Sequence, residues 1–171
     1  TRKNDAPLEF DLARAVEQAR ARGYRMLSGI ESEYFVVASD GAGLADVLDT
    51  QAKPCYDQLA LLRRYDLIRE ICDSMSQLGW KPYQTDHEDA NGQFEMNWEY
   101  ADCPITADRH VFFKYMVRAL AEQHGLRATF MPKPFPNLTG SGCHVHVSLW
   151  DGDAEINLFL DGGGELGLSE L

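Results

Sequence analysis

A chain of 171 residues that is 44% hydrophobic and 11% aromatic has enough apolar material to close one globular domain, which excludes a disordered polymer. Its formal net charge of −11 excludes a surface built to hold phosphate backbones, so nucleic-acid binding is set aside, while carboxylates gathered around cations stay compatible with it. Cys55, Cys72, Cys103 and Cys143 form no CxxC pair, and no secretory leader or apolar run of the ~20 residues a bilayer demands is visible, so a cytoplasmic protein with reduced thiols and no membrane contact is expected.

Leu12, Ala15, Val16 and Ala19 recur at helical spacing and predict a helix over residues 8–21, with Gly23 placed to end it in the left-handed conformation. A strand is predicted over 25–37, then an excursion of turns over 41–53 that ends at Pro54. Leu61, Tyr65, Ile68, Cys72 and Met75 share one side of a second helix, predicted over 58–78 and stopped by Gly79. Strands predicted over 80–84 and 92–100 flank the polar segment 85–91. A third helix is predicted over 107–124, with Thr106 as its N-cap and Gly125 as its stop, and strands over 126–131 and 142–150 follow. The irregular alternation, with several strands joined by short turns, predicts an α+β fold with a largely antiparallel sheet and flanking helices. The chain opens at Thr1 without Met and closes on the Gly-rich segment 161–171, so a piece of a longer protein is expected.

Side chains two apart on a strand share a face, and three strands repeat one theme. Glu31 and Glu33 lie side by side, an arrangement that repels unless a cation or water intervenes. In the segment 93–98, Phe94, Met96 and Trp98 form an apolar face, and Gln93, Glu95 and Asn97 a polar one that, taken alone, reads as solvent-facing. His87, Glu88 and Asp89 supply more polar groups just upstream. On the last strand His144, His146 and Ser148 oppose Cys143, Val145, Val147 and Leu149, so Cys143 and His144 cannot act as a nucleophile pair. A lone His-x-His fits a solvent-facing strand as well as a ligand pair. The preceding Gly140 and Gly142 let backbone amides approach a carboxylate or phosphate, although the loop does not match a P-loop. Carboxylates with imidazole suit Mg²⁺ or Mn²⁺, and two cations among four glutamates suit a nucleotide triphosphate. Trp98 and Tyr100 could flank a nucleotide base, but the alternation assigns Trp98 to the core-facing set.

Four segments in order, Glu31-Ser32-Glu33, residues 87–95 (HEDANGQFE), residues 128–134 (ATFMPKP) and residues 139–148 (TGSGCHVHVS), closely resemble the glutamine synthetase family over nearly the whole chain. The resemblance implies a curved antiparallel sheet, and an ATP-dependent ligase that joins ammonia to the γ-carboxylate of L-glutamate through γ-glutamyl phosphate. It implies that Glu33, Glu88 and Glu95 hold the divalent cation nearer glutamate, that Glu31 and His144 hold the cation at the ATP phosphates, that Gly140 and His144 meet the amino acid, and that His146 and Ser148 meet the nucleotide. It also implies a ring-forming homo-oligomer whose sites lie between subunits. On this resemblance residues 1–171 are part of the catalytic domain, the N-terminal β-grasp domain and the C-terminal part of the catalytic domain lie outside, and the chain alone is expected to be inactive.

Two departures stand out. Thr139 occupies the place where the family often has Asn, and the acidic motif begins His87-Glu88-Asp89-Ala90 rather than His-His-Glu-Val. They place the chain near the bacterial γ-glutamyl-amide synthetases, whose acceptor is methylamine, a polyamine or another primary amine. Two other classes remain as alternatives: a single-metal hydrolase or oxygenase built on His144, His146 and a glutamate, and a ligase-like binding module without catalysis.

Overall fold

The computed structural model describes residues 12–152 and 156–171. Helix α1 (Leu12–Arg20) precedes the long strand β1 (Tyr24–Ala38), and Gly23 links them with φ +81, a conformation in which a side chain would be strained. The part of the first predicted helix before Leu12 lies outside the described residues. Then come α2 (Gln58–Arg63), α3 (Tyr65–Gln77), β2 (Pro82–His87), β3 (Gln93–Trp98), β4 (Ala101–Asp102), α4 (Cys103–Gln123), β5 (Leu126–Thr129), β6 (Cys143–Asp151) and a 3₁₀ turn (Glu165–Gly167).

Among the described residues the six strands form one antiparallel sheet in an α+β fold. β1 is its spine. Its first half pairs with β6 from Tyr24↔Asp151 to Ser32↔Cys143, and its second half with β3 from Ser32↔Met96 to Phe35↔Gln93. Because Ser32 pairs with both, β3 and β6 flank β1 on opposite edges. The even-numbered residues Tyr34 and Val36 of β1, with Phe94, Met96 and Trp98 of β3, face α3 and α4 and close the main core with Ile71, Met75, Phe113 and Val117. On the opposite face Phe35, Val37 and Ala90 pack with Leu44, Phe135 and Leu138, which brings the 39–57 excursion and the 130–142 loop over the sheet. No helix among the described residues is long and apolar enough to cross a membrane.

Several predicted boundaries move. The predicted helix over 58–78 breaks at Arg64 (φ −113), where the Arg64 guanidinium donates to the Ala45 carbonyl at 2.6 Å and Arg63 pairs with Asp46. Tyr65, expected on the buried side, is exposed, and Leu67 and Ile71 join Ile68 and Met75 in the core. β2 runs on to His87, so the polar segment reduces to a tight turn over 88–92. Thr106 is not the N-cap of α4. The helix starts four residues earlier than predicted, because Pro104 is tolerated in a first turn, and the buried Thr106 hydroxyl donates to the Ser28 carbonyl at 2.7 Å. The face of Gln93, Glu95 and Asn97 is not solvent-facing: all three are buried, as is the whole of β3.

Candidate active site

The register of the sheet gathers the polar residues of three strands. Glu33 sits opposite Glu95 across β1 and β3, and Glu31 sits opposite His144 across β1 and β6. Such pairs place Cβ atoms ~5 Å apart, within reach of one ion. One ligand atom each from Glu31, Glu95 and His144 lie within 4.8 Å of one another. The Glu31 carboxylate lies 3.2 Å from Nδ1 of His144 and 3.0 Å from Nε2 of His146. Glu33 is buried, and its Oε2 accepts a hydrogen bond from Nε2 of Gln93 at 2.7 Å. The same amide also donates to the Gly140 carbonyl at 3.0 Å, while its oxygen accepts from the Ala90 amide at 3.1 Å. Gln93 therefore ties the β1 carboxylate to the loop before β6. That loop approaches closely: a Cβ on Gly142 would stand 2.7 Å from Oε1 of Glu33, so only glycine leaves this carboxylate in place.

Two cavities meet at Glu31. The smaller, about 370 Å³, is acidic, and Glu31, Glu33, Glu88, Glu95 and His144 all line it. The larger, about 690 Å³, is lined by Glu31, Trp98, Tyr100, His146 and Ser148 among others. Trp98 belongs to the core as expected, yet its edge also borders this cavity. Ser148 accepts from the Trp150 indole at 2.9 Å, which leaves its hydroxyl proton free to donate. Cys143 turns away from His144, with its sulfur 3.9 Å from Nε2 of His110.

The carboxylates strain against one another. Burial, then repulsion from Glu95 and Glu33, pushes the Glu88 pKa up to about 7. Burial also raises Glu95, against the hydrogen bond it accepts from Asn97 at 3.0 Å, and Glu31 and Glu33 add repulsion. Oδ1 of Asn97 is buried beside them without a hydrogen-bond partner among the described residues. Mutually repelling carboxylates, an imidazole and an orphaned acceptor around one small cavity fit a hard divalent cation. A thiolate-rich zinc site is not formed by these residues, since Cys55 is the one cysteine lining the cavity.

Some wall residues carry no signal in the sequence. Tyr56 lines the acidic cavity at φ +63 and Lys81 the larger one at φ +52, left-handed conformations that bulky side chains rarely adopt. Neither residue type announces such a bend. Asp49, buried under the 88–92 turn, is hidden in the excursion for another reason, since its partners His87 and Gly92 lie 38 and 43 positions later.

Comparison with known proteins agrees with the resemblance. The family model of the glutamine synthetase catalytic domain matches residues 10–171. A glutamine synthetase of Rhizobium meliloti (strain 1021) is 58% identical over 97% of this chain and 39% of its own length. The glutamate–methylamine ligase of Methyloversatilis universalis is 40% identical over 95% of this chain and 38% of its own length. Among solved structures, a GmaS/ADP complex superposes with a TM-score of 0.88 at 60% identity, covering 92% of this chain and 36% of the other. The chain thus spans less than two fifths of the length of these relatives, and, with residues 10–171 matching the catalytic-domain model, it belongs to the glutamine synthetase family.

Proposed function

We propose that this chain supplies the cation-binding wall of an ATP-dependent ligase that joins ammonia or a small primary amine to the γ-carboxylate of L-glutamate. The observation that carries this reading is the convergence of Glu31, Glu95 and His144 within 4.8 Å at the junction of an acidic and a larger cavity. Support comes from the relatives, which are named glutamine synthetase and glutamate–methylamine ligase, and from the similar structure, which is a complex with ADP.

In this reading the nucleotide lies in the larger cavity beside His146 and Ser148, with its phosphates toward Glu31, and glutamate lies in the acidic one. Mg²⁺ or Mn²⁺, when bound, neutralises phosphate charge and polarises the terminal phosphoryl group. Glu33, Glu88 and Glu95 hold one cation, and Glu31 and His144 the other. His144 also stands beside the amino acid. The Gly140 carbonyl, which already accepts from Gln93, keeps a second lone pair for the substrate ammonium. The γ-carboxylate oxygen attacks the terminal phosphorus and ADP leaves. The amine then attacks the acyl phosphate carbon, loses a proton and expels phosphate. Positioning two anions against each other is the main service such a site performs. The rest of the site would come from segments outside these 171 residues, the N-terminal β-grasp domain and the remainder of the catalytic domain, in a cytoplasmic, ring-forming homo-oligomer, and the chain alone would be inactive.

The single-metal alternative would need both imidazoles on one ion. Among the described residues the converging set contains His144 but not His146, which lines the larger cavity. The test is phosphate release from ATP by the protein at its full native length, with L-glutamate and a panel of ammonia, methylamine and longer amines. Release that requires both glutamate and one of these amines is the expected result, and release indifferent to glutamate would overturn the reading.

A further inference from the structure

The Glu88 carboxylate has little of its own to hold it. Among the described residues it accepts one hydrogen bond, from the neighbouring Asp89 amide at 3.3 Å. Its aim is therefore set by the backbone of the 88–92 turn, and both stems of that turn are gripped by one residue about forty positions earlier. Asp49 is buried, and its Oδ2 lies 2.6 Å from Nε2 of His87, immediately before Glu88. The same oxygen accepts from the Gly92 amide at 2.6 Å, and Oδ1 accepts from Nδ2 of Asn91 at 2.9 Å, at the far stem. The His87 ring, also buried, bridges onward from Nδ1 to the Pro54 carbonyl at 3.1 Å. The His87 carbonyl in turn accepts from the Tyr56 amide at 2.8 Å. Tyr56 is the cavity-wall residue at φ +63, and such strain persists only where its surroundings over-determine it.

We propose that Asp49 is a positioning residue: through His87, Asn91 and Gly92 it clamps the turn that presents Glu88 to the cation, and through His87 it fixes the 54–56 wall of the acidic cavity. Asp49 itself does not line that cavity, so it acts at one remove. A cation needs oxygens held in place rather than oxygens available nearby, and outer partners that orient ligands are worth ~10–100-fold in metal affinity. The inference rests on Glu88 being a cation ligand, as in the proposed function.

The test is a Mn²⁺ titration followed by electron paramagnetic resonance on the protein at its full native length. It compares wild type, Asp49→Asn, Glu88→Gln and the double variant, with thermal unfolding of each recorded alongside. Glu88→Gln and Asp49→Asn are each expected to weaken Mn²⁺ binding roughly 10-fold or more, and the double variant no further than Glu88→Gln alone, because both act through the same carboxylate. Wild-type affinity in Asp49→Asn, or losses that multiply in the double variant, would overturn the positioning role. Wild-type affinity in Glu88→Gln would instead overturn the ligand assignment beneath it. Should Asp49→Asn fail to fold, Asn91→Ala removes one of the three bonds to Asp49, together with the bond from the same amide to the Gln51 carbonyl, while leaving Asp49 paired with His87. It is expected to weaken binding ~3-fold and to show the same lack of additivity with Glu88→Gln, and unchanged affinity there would count against the clamp.

Discussion

A half-buried carboxylate that titrates near neutrality would make cation binding a proton exchange. Glu88, pushed up to about 7 by burial and by its neighbours Glu95 and Glu33, holds its proton in the cation-free protein on the acid side of that value. On the proposed assignment of Glu88 as a ligand, a cation must displace this proton, so apparent Mn²⁺ affinity is expected to rise between pH 6 and pH 8, by up to ~10-fold per unit below 7, and to level off above it. The sign for stability is the reverse. A carboxyl whose folded pKa is raised favours the folded state below its unfolded value of ~4.3 and loses that contribution as pH rises through about 7. Cation-free protein should therefore melt at lower temperature as pH rises across this window, and added Mn²⁺ should raise the melting temperature more at pH 8 than at pH 6. Differential scanning calorimetry at the two pH values checks both signs. An equal Mn²⁺ shift at the two values would mean that Glu88 is not the group that binds.

At the scale of elements, β3 decides how much destabilisation the molecule tolerates, because both of its faces are buried. Its apolar side meets α4 through Phe113, whose ring lies 4.9 Å from Trp98, 6.1 Å from Tyr34 and 6.0 Å from Phe130. Phe113→Ala should cost about 3–5 kcal/mol, read from urea unfolding, and a cost under ~1 kcal/mol would show that α4 does not anchor the sheet. Periodicity marked Phe94, Met96 and Trp98 as a core face, and the alternation of Glu31 with Glu33 and of His144 with His146 marked the faces that meet. What alternation does not carry is the cover on a face. Gln93, Glu95 and Asn97 look solvated in one dimension and become buried because distant segments, the 39–57 excursion and the 130–142 loop, fold over them. The break at Arg64 escapes periodicity for a similar reason, since its cause is a carbonyl at Ala45. The early start of α4 hid behind Pro104, which reads as a breaker and here opens the helix.

For the whole molecule, the decisive fact is register across long sequence separations. Glu31 and His144 are 113 positions apart, and they meet because β6 returns along the first half of β1. The motifs named which residues to watch, and the topology brings Glu31, Glu95 and His144 together and sends His146 toward the larger cavity. The two-residue spacing of Glu31 with Glu33 and of His144 with His146 was legible in the chain, whereas the junction of two cavities at Glu31 belongs to the folded sheet alone. The measurement that tests this convergence most directly is electron spin echo spectroscopy of bound Mn²⁺, which detects a coordinated histidine nitrogen, on wild type, His144→Ala and His146→Ala at full native length. The account predicts a nitrogen signal that disappears in His144→Ala and survives in His146→Ala. A signal absent from wild type, or abolished only by His146→Ala, would contradict it.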